Sequence, residues 1–197
     1  MYTPSEVVDF MLRSTEQLLK KHFKKNFSDD NVIILDPAVG TGTFPVHILK
    51  YIDKDKLESK YKNEIYANEI SILPYYIAAL NIEHTCQEIK GNYQEFENIC
   101  WMDTLDSGTK DFSKLTSYFG ENGNVKRIVN QQKSKISVII GNPPYNAVQT
   151  SVNDANAAEK YPEIDKKISD DYSTRGTGQG KLKAHDMYKR FLKWSSE

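Results

Sequence analysis

The chain has 197 residues, 27% of them charged, and its formal net charge is −1. This length permits one domain with a sizeable core, while the balanced charge argues against a surface wholly devoted to nucleic acid, leaving room only for a local basic face. No apolar run approaches the ~18 residues of a membrane span. The two cysteines, Cys86 and Cys100, and the four scattered histidines show neither disulfide nor metal-ligand spacing. We therefore expect a cytoplasmic protein without a metal site.

The N-terminal segment, residues 1–30, predicts a helix. Thr3 is a candidate helix cap, Pro4 suits the first helical position, and Glu6 completes a capping box. Apolar residues then recur at a spacing that predicts one buried helical face. They are Val7, Val8, Met11, Leu12, Leu18, Leu19 and Phe23.

Residues 31–44 are the most informative stretch of the chain. An apolar run over residues 32–35 predicts a buried strand, and a helical pattern begins near Thr43 after an acid, a proline and two glycines. Gly40 and Gly42 give the backbone freedom and allow a ligand to approach the main chain closely. The dinucleotide pattern Gly-x-Gly-x-x-Gly fails because Pro45 replaces its third glycine. By itself this turn is also compatible with an ordinary strand-to-helix connection.

Three further strands are predicted, over residues 65–69, 98–101 and 136–140. Helices are predicted over residues 43–52 and from Ser71 onward, the latter with an apolar face. Residues 53–62, 104–135 and 146–183 have the composition of a charged connection, an irregular segment and a long flexible loop, and residues 184–197 predict the start of another helix. Alternating strands and helices predict an α/β fold with a mainly parallel sheet and helices on both faces. The face from Ser71 comprises Ile72, Leu73, Tyr76, Ile77 and Leu80.

Each predicted strand ends in a distinctive polar residue: Asp36, Glu69, Asp103 or Asn142. In parallel sheets, ligands bind beyond the carboxyl ends of the strands. An acid after the second strand commonly accepts hydrogen bonds from ribose hydroxyls, and Asp103 could accept one from the amine of an adenine ring. Taken singly these acids are also ordinary surface residues. S-adenosylmethionine combines a ribose, an adenine and a carboxylate that suits the glycine turn.

The motif Gly141-Asn142-Pro143-Pro144-Tyr145 suits methylation of an amino group on a planar ring. Such an amine is a poor nucleophile because its lone pair is delocalised. The Asn142 side-chain oxygen and the Pro143 carbonyl can each accept a hydrogen bond from one of its N–H groups. The paired prolines hold that carbonyl rigidly. Tyr145 offers an aromatic face for stacking. The same chemistry would serve a glutamine in a protein or a guanine in RNA.

Together these motifs resemble the gamma class of adenine-specific DNA methyltransferases, which transfer a methyl group from S-adenosylmethionine to adenine N6 and release S-adenosylhomocysteine. The resemblance implies a Rossmann-like methyltransferase fold and a flipped-out target adenine. Residues 185–194 resemble a helix of large single-chain restriction–modification enzymes. The cofactor-binding residues implied are Tyr2, Thr3, Pro4, Asp36, Pro37, Ala38, Gly40, Thr41, Gly42, Thr43, Phe44, Glu69, Ile70, Asp103, Thr104 and Asn142, and the catalytic residues are Asn142, Pro143, Pro144 and Tyr145.

The chain also departs from the family pattern. Family members continue with strands that complete a seven-stranded sheet and with a target-recognition domain, so we expect residues 1–197 to be a partial catalytic domain with its core at 31–145 and an incomplete sheet. Thr104 stands where many members have an aromatic residue that packs on the cofactor. Double-stranded DNA would bind through the missing target-recognition domain, and the parent enzyme would carry linked nuclease or translocase domains. The alternative is a non-catalytic cofactor-binding fragment.

Overall fold

The structure, a computed structural model, describes residues 3–106, 123–144, 161–173 and 187–197. These residues fall into two compact units. The first contains residues 3–104 and 123–142, and the second contains residues 105–106, 143–144, 161–173 and 187–197. The boundary between the units passes between Asn142 and Pro143, inside the predicted core of residues 31–145. Tyr2 and Tyr145 lie outside the described residues.

A four-stranded parallel sheet forms the centre of the first unit. Its strands are β1 (Ile34–Asp36), β2 (Ile65–Glu69), β3 (Ile99–Trp101) and β4 (Val138–Ile139), and their order is β3-β2-β1-β4. Leu35 pairs with Tyr66 on one side and with Ile139 on the other. The predicted α/β class and parallel sheet are therefore confirmed. This order brings the residues after β4 next to the end of β1.

Helices cover both faces of this sheet. The first unit contains α1 (Ser5–Leu18), which continues as a π-helical turn (Leu19–Phe23), α2 (Thr43–Tyr51), α3 (Leu57–Asn63), α4 (Ile72–Lys90) and α5 (Gly123–Lys133). Ile99 belongs to the main core with residues of α1, α2 and α4, whereas Cys100 packs with Ile128 of α5. Successive strand residues point to opposite faces, so α5 lies on the face opposite to α1, α2 and α4.

The start of α1 corrects the predicted capping box. The helix begins at Ser5, Pro4 occupies the cap position, and no side chain caps the helix. The Thr3 hydroxyl instead accepts a hydrogen bond from Asn142, 139 residues away. The Thr3 hydroxyl thus takes part in a tertiary contact with Asn142 and not in the predicted helix cap.

The predicted apolar faces of α1 and α4 are only partly correct. On α1, Val8, Leu12 and Leu19 are buried, whereas Val7 and Leu18 lie on an exposed stripe beside them. Phe23 is exposed at the end of the π-helical turn, which changes the phase of the helix. On α4 the predicted face is exposed at four positions, and a second stripe four residues apart packs in the core instead. The exposed residues are Ile72, Leu73, Tyr76 and Leu80, and the buried stripe is Ala78, Ile82 and Cys86.

Three segments predicted to lack regular structure contain helices. The predicted charged connection contains α3, the predicted irregular segment contains α5, and the predicted long loop contains α6 (Pro162–Ile168). Each of these helices has few buried apolar residues among many charged ones, so the helical spacing is hard to recognise in the sequence. The buried apolar residues are Leu57 and Tyr61 in α3, Ile128 in α5, and Ile164 and Ile168 in α6.

The second unit consists mainly of α6, a π-helical turn (Ser169–Ser173) and α7 (Met187–Ser195). Arg190 of α7 donates hydrogen bonds from Nε and Nη2 to the two carboxylate oxygens of Asp165, at 2.7 and 2.8 Å. Its guanidinium also lies 5.0 Å from the centre of the Tyr161 ring. α7 agrees with the predicted C-terminal helix where the chain is described. None of the described helices has the length and apolar character needed to cross a membrane.

Candidate functional site

The turn between β1 and α2 requires glycine at two positions. Gly40 and Gly42 have φ values of 57° and 93°, in the left-handed region that favours glycine. A Cβ at Gly42 would also approach the Ala78 Cα and carbonyl oxygen to 3.2 Å, whereas a Cβ at Gly40 would meet nothing within 4 Å. Gly42 therefore allows close packing against α4, and Gly40 borders open space where a ligand can approach the backbone.

The carboxylate of Glu69 is held beside this turn by two backbone amides. Its Oε2 accepts a hydrogen bond from Gly40 N at 2.9 Å, and its Oε1 accepts one from Ser71 N at 2.8 Å. Because β2 lies next to β1, the end of β2 delivers Glu69 to the glycine turn. A carboxylate oxygen has lone pairs for more than one donor, so both oxygens can still accept from a ligand hydroxyl.

Asp36 is buried at the end of β1 and has an incomplete set of partners. Its Oδ1 accepts a hydrogen bond from Ala38 N at 3.1 Å, while Oδ2 has no hydrogen-bond partner among the described residues. Burial, with a smaller effect from the nearby Glu69 carboxylate, raises the pKa of Asp36 to about 7. Since a buried acceptor without a donor is unfavourable, Asp36 suits a ligand that supplies an N–H group or a positive charge.

Gly141 and Asn142 bring the end of β4 to the same place. A Cβ at Gly141 would lie 2.4 Å from Asp36 Oδ1, so only glycine fits between these strand ends. The Asn142 Nδ2 donates a hydrogen bond to Thr3 Oγ1 at 3.0 Å. No donor from the described part of the chain pairs with the Asn142 Oδ1, which leaves this oxygen able to accept from a substrate.

An open cleft of about 220 Å³ joins these elements. Its walls come from the start of the chain, the glycine turn, the beginnings of α2 and α4, and the end of β4. Val39 and Pro74 line it but were not predicted as site residues. Val39 lies within the predicted glycine turn. Pro74 shows no sequence pattern beyond that of a residue in the first turn of a helix. The lining residues are Thr3, Ala38, Val39, Gly40, Thr41, Thr43, Phe44, Pro74 and Asn142.

Among the described residues, the other predicted site residues are not part of the cleft lining. Ile70 is exposed after β2, Asp103 is half-buried after β3, and Pro37 is buried. The Thr104 hydroxyl donates a hydrogen bond to the Pro37 carbonyl at 2.6 Å and is buried. Pro143 is half-buried and Pro144 exposed, both in the second unit. Across the described ranges, no group of three or more His, Cys, Asp or Glu side chains could hold a metal ion.

A family model described as N-6 DNA Methylase matches residues 1–173. The chain belongs to this family. A comparison with curated proteins gave no match. The family match confirms, at the level of the family, the predicted resemblance to adenine-specific DNA methyltransferases of restriction–modification enzymes.

Solved structures of much longer proteins contain a similar domain. A DrdV–DNA complex is 46% identical with a TM-score of 0.90, and the match covers 100% of this chain and 19% of that one. A nuclease-deletion mutant of the Type ISP restriction–modification enzyme LlaGI, bound to a DNA substrate mimic, is 40% identical with a TM-score of 0.91, covering 99% of this chain and 17% of that one. The DNA-bound, ATP-dependent Type ISP enzyme LlaBIII is 39% identical with a TM-score of 0.91, covering 100% and 14%.

Proposed function

We propose that this chain binds S-adenosylmethionine and presents Asn142 to the N6 amine of a flipped-out adenine in DNA. The observation that carries this proposal is that the glycine turn and Asn142 line the same cleft. The amide nitrogen of Asn142 is bound to Thr3, so its oxygen remains available for the substrate amine. Membership of the N-6 DNA Methylase family supports this choice over a protein glutamine or an RNA guanine.

The residues around the glycine turn fit the proposed methyl donor. S-adenosylmethionine supplies, when bound, a methyl group on a positively charged sulfur. The Glu69 carboxylate, fixed by Gly40 and Ser71 amides, would accept hydrogen bonds from the ribose hydroxyls. The partnerless Asp36 Oδ2 would accept an N–H from the amino acid part, and Ile70 and Asp103 would contact the adenine ring.

The Asn142 side-chain oxygen and the Pro143 carbonyl would act on the target amine by accepting hydrogen bonds from its two N–H groups. Both acceptors draw the nitrogen toward a tetrahedral geometry, which frees its lone pair and aims it at the methyl group. Pro144 keeps the Pro143 carbonyl in place, and Tyr145 would stack on the flipped base. No nucleophilic side chain is needed because positioning and electrostatics lower the barrier.

The proposed enzyme acts in the cytoplasm on double-stranded DNA, with sequence recognition supplied by a separate target-recognition domain. The chain spans only 14–19% of the three longer proteins, two of which are called restriction–modification enzymes. All three are bound to DNA or a DNA mimic, the LlaGI protein is a nuclease-deletion mutant and LlaBIII is ATP-dependent. This supports linked nuclease or translocase domains in the parent enzyme.

The variant Asn142→Ala tests this proposal in the full-length protein. We expect methyl transfer from labelled S-adenosylmethionine to DNA to fall by about 10²–10³-fold, because one of the two acceptors is lost. The dissociation constant for S-adenosylmethionine should rise by less than about tenfold, because Asn142 is one of several cleft residues and the glycine turn and Glu69 remain in place. Asn63→Ala is the control, since the Asn63 side chain donates only to Ser59 O on the exposed side of α3. Near-normal turnover by Asn142→Ala would contradict the mechanism.

A further inference from the structure

A chain of buried polar side chains connects α5 to the loop that follows β1. Gln131 of α5, Asn68 of β2 and Thr104 are 7%, 0% and 3% exposed. Gln131 Nε2 donates a hydrogen bond to Asn68 Oδ1 at 2.8 Å, Asn68 Nδ2 donates to Thr104 Oγ1 at 3.1 Å, and Thr104 Oγ1 donates to the Pro37 carbonyl at 2.6 Å. Buried polar groups that are hydrogen-bonded to one another in this way fix the geometry of what they touch.

The direction of these hydrogen bonds is set at the loop end, because the Pro37 carbonyl can only accept. The single proton of the Thr104 hydroxyl is donated to Pro37 O, so Thr104 Oγ1 accepts from Asn68 Nδ2. This orientation turns Asn68 Oδ1 toward α5, where Gln131 Nε2 donates to it and also lies 3.6 Å from Cys100 Sγ. Gln131 therefore supplies the donor that the buried Asn68 oxygen needs in this orientation.

Asn68 holds the same loop at a second point. Its backbone carbonyl accepts a hydrogen bond from Val39 N at 2.9 Å. Pro37 and Val39 are thus both anchored, and Ala38 between them lines the cleft together with Val39 and Gly40. The cleft wall formed by the glycine turn rests on contacts that originate in β2 and α5.

We propose that Gln131, Asn68 and Thr104 are positioning residues that hold the glycine turn in its cofactor-binding conformation. This inference rests on the proposed use of the cleft for S-adenosylmethionine. It gives Thr104 a role beneath the loop instead of a contact with the cofactor ring. It also gives roles to Asn68 and Gln131, which the sequence alone did not single out.

Variants of Thr104 in the full-length protein test this inference. Thr104→Val keeps the shape of the side chain but removes the hydroxyl, so that Pro37 O loses its donor and Asn68 Nδ2 its acceptor. We expect the dissociation constant for S-adenosylmethionine to rise about tenfold, equivalent to about 1.4 kcal/mol, while the rate of methyl transfer at saturating cofactor changes less than about twofold. Thr104→Ser retains the hydroxyl and should restore affinity.

A second variant and a matched control separate positioning from general stability. Gln131→Met leaves the buried Asn68 Oδ1 without its donor and should also weaken cofactor binding, so the inference remains testable if Thr104→Val does not fold. Ser134→Ala removes a neighbouring hydrogen bond between the residue that follows α5 and β2, from Ser134 Oγ to Tyr66 Oη at 2.8 Å. It should lower the melting temperature without changing cofactor affinity.

The outcomes distinguish this inference from the proposed function. A wild-type protein that binds no S-adenosylmethionine would overturn both. Normal wild-type binding together with unchanged affinity in folded Thr104→Val and Gln131→Met would overturn the positioning role alone. So would an equal loss of affinity in Ser134→Ala, because loosening of α5 on β2 would then explain the effect.

Discussion

At the residue scale, Gly141 shows how closely the ends of β1 and β4 approach each other. A methyl group there would lie 2.4 Å from Asp36 Oδ1 and 3.2 Å from Pro37 Cδ, so the strand ends would have to separate. We predict that Gly141→Ala lowers the free energy of unfolding by about 1–3 kcal/mol. Because Asn142 is the next residue, methyl transfer should fall as well. Denaturant unfolding and a methylation assay measure the two effects.

Gly123→Ala provides the control for this change. A Cβ at Gly123, the first residue of α5, would meet nothing within 4 Å. Its effect on the free energy of unfolding should stay within about 0.5 kcal/mol. Equal stability of Gly141→Ala and the wild-type protein would contradict the close contact between Gly141 and Asp36.

Asp36 gives the stability of the protein a specific pH dependence. Burial raises its pKa to about 7 in the folded protein, whereas an unfolded aspartate has a pKa of about 3.9. Between these values the folded state retains a proton that the unfolded state has lost, so stability falls as the pH rises from about 4 to about 7. Above that range the penalty is constant.

The variant Asp36→Asn removes this titration with almost no change of size. Relative to the wild-type protein, it should therefore gain stability as the pH rises from about 4 to about 7. Urea unfolding of both proteins across this range, without ligand, gives the difference directly. A difference that does not vary with pH would show that the Asp36 carboxyl titrates equally in the folded and unfolded states.

At the element scale, the sequence located the strands better than the helix faces. The segment predicted over residues 65–69 coincides with β2, and the other strands lie within a residue or two of their predicted positions or inside them. Short β-branched runs that end in polar residues are distinctive signals. On α4, in contrast, Leu73 and Ile82 lie on different apolar stripes, and tertiary packing, including the close approach of Gly42 to Ala78, buries the stripe of Ile82.

A buried lysine of α3 holds this helix against the segment that precedes β1. Lys60 is 1% exposed, and its Nζ donates hydrogen bonds to Val32 O at 2.8 Å, Asp29 O at 2.9 Å and Glu64 Oε2 at 2.6 Å. Lys60→Met would retain most of the packing but leave these acceptors without a donor. We predict a loss of about 2–4 kcal/mol in the free energy of unfolding, measured by denaturant titration.

Lys62→Met on the same helix is the matched control. Lys62 forms an exposed ion pair with Glu58 at 2.6 Å, and such pairs contribute about 0–1 kcal/mol. Its loss should be small in the same titration. If the two variants were equally stable, burial of the Lys60 ammonium would not be what anchors the entry to β1.

At the scale of the whole molecule, the cleft was predictable because the ends of parallel strands meet at one edge of a sheet. Asp36, Glu69 and Gly141 come together in this way, as the hydrogen bond to Gly40 and the contact across Gly141 show. The resemblance implies that Thr3 and Asn142 share one site, but the direct hydrogen bond between them was not predictable, since it joins residues 139 positions apart. The role of Gln131 was not predictable either, because the mostly polar sequence of α5 gives little sign of a helix.

The product of the reaction tests the central claim most directly. Full-length protein would be incubated with double-stranded DNA and methyl-labelled S-adenosylmethionine, and the digested nucleosides would be separated and identified by mass spectrometry. The proposed function predicts label in N6-methyladenine, and its loss in Asn142→Ala. Label on cytosine, or in RNA or protein in parallel incubations but not in DNA adenine, would contradict the assignment of Asn142 to an adenine amine.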